Sequence, residues 1–155
     1  MSIENINETI VVEMGECVVL DGDSQVFLET CGLGPCVGIA IVIKTLDNKV
    51  HRLPGHIVME EEQSDSFEEL RVCTKIIKAN TKDNVKEIKI VFTTTQSYRN
   101  FSYLTEDEIK LLKIIKKAFG FGIRDIKFNY SHQVQITPTG TISNDFEKTT
   151  RQNRL

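Results

Sequence analysis

The sequence lacks the features that define several large protein classes. Its 155 residues contain no apolar run long enough to cross a membrane, and residues 1–16 have neither the basic nor the apolar stretch of a secretion signal. The formal net charge is only −3, so the composition gives no reason to expect a nucleic-acid partner. We therefore expect a cytoplasmic protein that does not insert into membranes and does not bind nucleic acid.

Cysteine is scarce as well. The four cysteines, Cys17, Cys31, Cys36 and Cys73, do not form a dense framework, and a chain of this length can fold without disulfides. The cysteines and the three histidines also lack the paired spacing of zinc ligands. We expect reduced thiols, no metal ion and no cofactor.

The chain is the length of one domain. It shows no internal repeat and no linker-like segment, and it is long enough to bury one substantial core. The last residues are polar and include three basic side chains. We predict a single domain over residues 1–146 and a flexible polar tail over residues 147–155.

Hydrophobic periodicity predicts an α+β fold. Two β-branched runs within residues 9–20 are expected to be strands of one sheet, and residues 36–43 read as a buried central strand. After a turn near Asp47, the chain returns as a strand that Pro54-Gly55 should interrupt just before His56. Helices are predicted around 67–77 and after the capping box at 105–108, with further strands at 86–92, 123–130 and 133–136. The expected architecture is a layered sandwich, with a mixed, mostly antiparallel β-sheet and two main helices packed on it.

A glycine-rich turn delivers Cys36 to the start of the buried strand. Gly32 and Gly34 allow the backbone to turn tightly, and they would let a substrate approach main-chain N–H groups that could stabilise an oxyanion. A cysteine acts as a nucleophile only as its thiolate, so it needs a nearby base. The predicted hairpin brings His56 back beside Cys36.

Two other histidines are alternatives to His56. Strand alternation puts His51 on the opposite face from His56 unless Pro54-Gly55 forms a bulge. His132 fits the order of papain-like proteases, but the residues around Cys36 lack that signature. His56 is therefore the favoured partner, and the other three cysteines are expected to be inert.

The pattern Thr-x-Gly-Leu-Gly-x-Cys at residues 30–36, followed by a hairpin to a histidine, resembles the CheD family of chemotaxis receptor glutamine deamidases. A threonine six residues before the cysteine recurs in related bacterial toxin deamidases. The resemblance implies that Cys36 is the nucleophile, His56 the general acid/base and Thr30 a polar residue that orients the site. It also implies a protein substrate that carries a reactive glutamine, whose side-chain amide is hydrolysed to glutamate through a thioester.

The sequence departs from the family pattern at three places, and one of them is a hairpin that is longer than usual. Pro35 stands where the family has a small polar residue, and it has no N–H to donate. Residues 93–97 replace a segment that is glycine-rich in the family. The substrate could therefore be a chemoreceptor or another regulatory or host protein, reached in the second case by leaderless export. The alternative is an inactive CheD-like domain that binds a partner protein.

Overall fold

The computed structural model of the chain describes residues 8–22, 24–33, 36–58, 65–95, 106–120 and 125–144. The predicted tail at 147–155, the boundary at 146, Gly34 and Pro35 lie outside these ranges. Within them the elements are β1 Thr9–Val11, β2 Phe27–Cys31, β3 Val37–Thr45, β4 Val50–Ile57, α1 Asp65–Asn80, β5 Val85–Thr94, α2 Glu106–Phe119, β6 Lys127–Tyr130, β7 Gln133–Ile136 and β8 Ile142–Ser143. The layered α+β class with two helices is confirmed.

The strands form two sheets of four. The first has the order β1-β2-β7-β8, and the second has the order β4-β3-β5-β6. Most neighbouring strands pair antiparallel, but β1 is parallel to β2, and β5 is parallel to β6. The hydrophobic pattern predicted β1 and the strands from β3 to β7, but it did not predict β2 or β8 and did not reveal that the strands divide between two sheets.

The second sheet is the middle layer of three, because both of its faces are buried. On one face Ala40, Val42 and Val91 pack against Leu28 and other apolar side chains of the first sheet. On the other face the alternate residues of β3 pack against the two helices and join the larger core cluster. The central strand β3 is therefore apolar at nearly every position, as a strand buried on both faces requires.

β4 is continuous from Val50 to Ile57 and pairs with β3 without a register shift. The predicted interruption at Pro54-Gly55 is therefore wrong. The backbone polar groups of residue 54 point away from β3, since the carbonyl of Pro54 accepts a hydrogen bond from Val18 N–H. The missing N–H of Pro54 therefore removes no hydrogen bond between β3 and β4. At Gly55 a Cβ atom would lie 2.9 Å from the sulfur of Cys17, so only glycine lets this segment pack against β4.

The two β-branched runs near the N-terminus belong to different sheets, which corrects the expectation that they share one. Residues 9–11 form β1 of the first sheet, whereas Cys17 and Leu20 form isolated bridges with the outer edge of β4 in the second. The chain crosses from one sheet to the other between these runs. This crossing segment is held against His56 by the bonds from Gly15 N–H to His56 O and from His56 N–H to Glu16 O.

Both predicted helices are present. The buried stripe of α1 consists of Phe67, Leu70, Thr74 and Ile77. Gly120, with φ of 75°, ends α2, and its N–H donates to Lys116 O. Each helix connects two strands that run in the same direction, so α1 and α2 run parallel to each other on one face of the second sheet. No helix in the described part of the chain is long and apolar enough to span a membrane.

Arg52 is the largest fully buried side chain, and it lies between the two sheets. Its guanidinium donates to the carbonyl of Val26 at 2.7 Å and to that of Ile136 at 3.2 Å, and burial lowers its pKa. These bonds join β4 of the second sheet to the first sheet. Arg52 therefore helps to fix the relative position of the two sheets that supply the candidate site.

Candidate active site

Two of the residues predicted for the site, Thr30 and His56, meet where the two sheets pack together. Thr30 lies in β2 of the first sheet, and His56 lies near the end of β4 of the second. Both side chains are buried, and the Thr30 hydroxyl is 2.7 Å from Nδ1 of His56. The structure therefore brings together two residues that are 26 positions apart in the sequence.

The hydrogen bonds of Thr30 assign the protonation of His56. The Thr30 hydroxyl donates its only proton to the carbonyl of Val12 at 2.8 Å, so it can only accept from the imidazole. Nδ1 of His56 then carries a proton, and in the neutral ring Nε2 has a free lone pair. Nε2 is buried and has no hydrogen-bond partner among the described residues. The arrangement leaves a base of fixed orientation available to accept a proton.

The surroundings keep His56 neutral at ordinary pH. Burial lowers the pKa of His56 below its usual value of 6.5, and this effect outweighs the opposing contributions of the Val12 carbonyl and the charge on Glu13. A neutral imidazole is the form that can take a proton from a thiol. The environment therefore suits the start of a reaction in which His56 acts as a base.

Leu33 anchors the turn that leads to Cys36. Its side chain is fully buried, its N–H donates to His132 O, and its carbonyl accepts from Cys36 N–H at 2.6 Å. The side chain packs over Gly38, where an added Cβ would lie 3.2 Å from Leu33 and 3.3 Å from Val134. Leucine and glycine at these positions together hold the turn against the start of β3.

Cys36 directly precedes β3, and β3 pairs with the strand that carries His56. Val37 belongs to the core beneath the helices, so by alternation Gly38 faces the first sheet. Gly38 is directly opposite His56, so Cys36 is two residues along the chain from the residue that pairs with His56. Gly38 contributes no side chain between them.

The thiol of Cys36 and the imidazole of His56 are not hydrogen-bonded to each other, since Nε2 of His56 has no partner among the described residues. Only 4% of Cys36 is exposed to solvent. A substrate must therefore reach a thiol that is largely covered.

Only part of the segment predicted to supply the oxyanion donors lies within the described residues. Gly32 adopts φ of 64°, a left-handed conformation that favours glycine, and the space above its Cα is open. Gly34 lies outside the described residues. Cys36 N–H already donates to Leu33 O, so it would have to leave that bond before it could stabilise an oxyanion.

The alternative histidines lie elsewhere. His51 is on the opposite face of β4 from His56, as alternation predicts, and its Nδ1 pairs with the carboxylate of Asp21 at 3.0 Å. His132 is exposed, and its backbone carbonyl rather than its ring contacts the turn at Leu33. Neither ring is on the seam that holds Thr30 and His56.

The remaining cysteines have distinct environments. Cys31 is exposed at the end of β2, whereas Cys73 is a buried residue of α1 and Cys17 packs against the same core cluster, with its thiol close enough to that of Cys73 to interact with it. That interaction and burial raise the pKa of Cys17 well above its usual range. The described residues contain no group of three or more histidine, cysteine or acidic side chains that could hold a metal ion.

Sequence reasoning missed Thr93 as a polar residue of the same seam. It lies next to Gly38 on the side opposite His56, and its hydroxyl is fully buried without a hydrogen-bond partner among the described residues. The segment that begins at residue 93 was noted only as a departure from the family pattern. Strand alternation in β5 could have placed this threonine on the face of Val91, but its proximity to Gly38 required the sheet register.

No protein-family model matches this sequence, and a comparison with curated proteins gives no significant match.

Proposed function

We propose that this chain is a CheD-like protein-glutamine deamidase, a cysteine-dependent amidohydrolase. The observation that carries the proposal is the buried Thr30–His56 pair, which leaves Nε2 of His56 unprotonated, and without a hydrogen-bond partner in the described part of the chain, beside the strand that begins after Cys36. A threonine, a cysteine and a histidine in this order also form the pattern that resembles the family. The proposal needs neither a metal ion nor a cofactor.

The first half-reaction forms a thioester. Nε2 of His56 takes the proton of the Cys36 thiol, and the thiolate attacks the carboxamide carbon of a glutamine side chain. The negative charge that develops on the amide oxygen requires N–H donors, for which the turn containing Gly32 is the candidate. The C–N bond then breaks, and protonated His56 gives its proton to the departing nitrogen, so that ammonia leaves.

The second half-reaction restores the enzyme. Water loses a proton to Nε2 of His56 and attacks the thioester carbon, and the C–S bond breaks to release the substrate's new carboxyl group, which ionises in solvent to glutamate. Protonated His56 returns its proton to the thiolate of Cys36, so both groups regain their starting forms. The substrate gains one negative charge. On a chemoreceptor or another regulatory or host protein, this charge would change local packing and electrostatics, which suits a role in bacterial signalling.

A non-catalytic role is the second candidate, and two observations favour it. Cys36 is almost completely covered, and its N–H is engaged by Leu33 O. A domain that keeps the fold but only binds a partner protein would show both features. The thiol chemistry of Cys36 separates the two candidates.

The test is the rate of iodoacetamide alkylation at each cysteine, followed by mass spectrometry between pH 5 and 9. The deamidase proposal expects a thiolate at Cys36 below the pH at which an ordinary thiol ionises, so its rate should remain high at neutral pH. Cys31 is exposed and lies five residues away, so it provides an internal reference for a solvent-accessible thiol. Because Cys36 is covered, the shape of its pH profile is more informative than its absolute rate.

His56→Ala should move the pH profile of Cys36 upward, whereas the matched variant His51→Ala should leave it unchanged. If Cys36 in the wild-type protein follows the same pH profile as Cys31, and His56→Ala does not alter it, the catalytic proposal is refuted in favour of the binding role. A positive result justifies incubating the enzyme with candidate proteins and measuring the 1 Da mass increase that accompanies glutamine deamidation.

A further inference from the structure

The outer surface of the helical layer contains a basic groove that the proposed reaction does not use. The groove encloses about 470 Å³ between α1 and α2. Six cationic side chains line it, and all six are exposed: Arg71, Lys75 and Lys78 from α1, and Lys110, Lys113 and Lys117 from α2. These residues are concentrated in one place on a chain whose net charge is −3.

The two basic rows face each other along parallel helices. The spacing is i, i+4, i+7 on α1 and i, i+3, i+7 on α2, so each row follows one flank of its helix for about 10 Å. Arg71 pairs with Glu68 at 3.1 Å. In the described part of the chain, no carboxylate lies within 4.0 Å of Lys75, Lys113 or Lys117. These three lysines therefore give the groove positive charge that no carboxylate among the described residues compensates.

Helix dipoles explain only part of this distribution. Basic residues in the last turn of a helix are stabilised by the negative end of its dipole, which accounts for Lys78 and Lys117. The effect falls off within one turn, so it does not account for Lys75 or Lys113. Nor does it explain why both rows occupy the flanks that face each other, where like charges repel.

The floor of the groove is apolar. Ile114 and Ala118 line it, together with Thr74, whose hydroxyl is occupied by a bond to the carbonyl of Arg71. Val72 and Ile76 are each 44% exposed on the outer face of α1. An apolar floor between two cationic walls matches a ligand that has an apolar stripe between two anionic flanks.

We infer that the groove is the docking site for an acidic amphipathic helix of a partner protein. Two turns of such a helix match the length of the basic rows, and carboxylates on both of its flanks would reach Lys75 and Lys113 while apolar side chains cover Ile114. A flat anionic bilayer does not enter a concave groove, and a phosphodiester chain has no apolar stripe for the floor. The groove lies on the helical face of the second sheet, opposite the seam of Thr30 and His56, so docking there does not depend on catalysis.

The test uses a fluorescein-labelled peptide of about 14 residues with leucines along one face and glutamates on both sides of them. Fluorescence anisotropy measures its affinity for the full chain, and amide chemical shifts locate the site. We expect shifts concentrated in residues 71–78 and 110–117. The double variant Lys75→Glu/Lys113→Glu should weaken binding by about 10-fold or more, because it puts like charges in contact.

The matched control is Lys86→Glu/Lys127→Glu, which makes the same change in net charge on exposed residues of β5 and β6. It should leave the affinity within about 2-fold, since long-range charge effects are screened at physiological salt. The inference is overturned if the peptide does not bind, if both double variants weaken it equally, or if a peptide of scrambled order binds as well. It is also overturned if a thymidine oligonucleotide or phosphatidylserine vesicles bind the groove more tightly than the peptide.

Discussion

Replacing Thr30 with valine removes one hydroxyl group and nearly preserves the volume of the side chain. The hydroxyl makes two buried hydrogen bonds, one donated to the carbonyl of Val12 and one accepted from Nδ1 of His56. Thr30→Val therefore tests whether this pair stabilises the seam between the two sheets. It also tests whether Thr30 orients His56.

The expected cost is about 2–4 kcal/mol in the free energy of unfolding. A buried donor or acceptor that loses its partner costs about 1–3 kcal/mol, and two groups are affected here. The Val12 carbonyl also lies within hydrogen-bonding reach of His56, so it keeps one possible donor after the hydroxyl is removed. The expected loss in the free energy of unfolding is therefore in the lower part of the range that two lost partners allow. In a His56→Ala background the same replacement should cost less, because one of the two bonds no longer exists.

Urea unfolding measures these free energies, and Thr74→Val is the matched control. Thr74 is equally buried, but its hydroxyl bonds only to the carbonyl of Arg71 within its own helix, so its loss should cost about 1 kcal/mol or less. Thr30→Val should also raise the pH at which Cys36 becomes reactive, since the imidazole loses its preferred tautomer. Equal costs for the two valine variants, together with an unchanged Cys36 profile, would refute the reasoning.

Three further predictions concern the same side chains and their neighbours. Burial lowers the pKa of His56 below 6.5, so the unfolded state binds more protons than the folded state as the pH falls below 6.5. The free energy of unfolding should therefore decline there by up to about 1.4 kcal/mol per pH unit. His56→Gln should lack this component in urea titrations from pH 5 to 7, and a constant difference between the two proteins across that range contradicts it. Thr93→Val removes a buried hydroxyl without a partner, so it should raise the free energy of unfolding by about 1 kcal/mol, whereas a loss would show that the hydroxyl is bonded in solution. Cys17 should react with iodoacetamide more slowly than Cys31 at pH 8, because its interaction with Cys73 and its burial raise its pKa; equal rates in peptide mass spectra contradict this.

The secondary structure was largely predictable from the sequence. The alternating and continuous apolar runs identified β3, β5 and β7, and helical spacing identified α1 and α2 with Gly120 as a stop. Local patterns failed at Pro54, where a residue that normally breaks strands fits because its missing N–H faces away from β3. Whether proline fits in β4 depends on which segment pairs with each edge of that strand, and the local sequence pattern does not contain this information.

The position of His56 opposite the start of β3 was predictable in outline. The turn near Asp47 gives a hairpin, and the hairpin register follows from the lengths of its two strands, so the sequence could place His56 close to the start of β3. The position of Thr30, the hydrogen-bond partner of His56, could not be predicted from a hairpin in this way. Thr30 belongs to another sheet, and only the resemblance to a family suggested that it would lie at the same site.

The sequence by itself determined the layered α+β class, the two helices, the buried central strand and the residues that could carry thiol chemistry, because each depends on periodicity or chemistry within a short segment. The tertiary structure alone decided that the strands divide into two sheets and that Thr30 and Val12 fix the tautomer of His56. It also decided that Cys36 is covered and that the two basic rows face each other across a groove. Each of these depends on contacts between segments far apart in the chain. Their geometry is set by how the layers pack rather than by any local pattern.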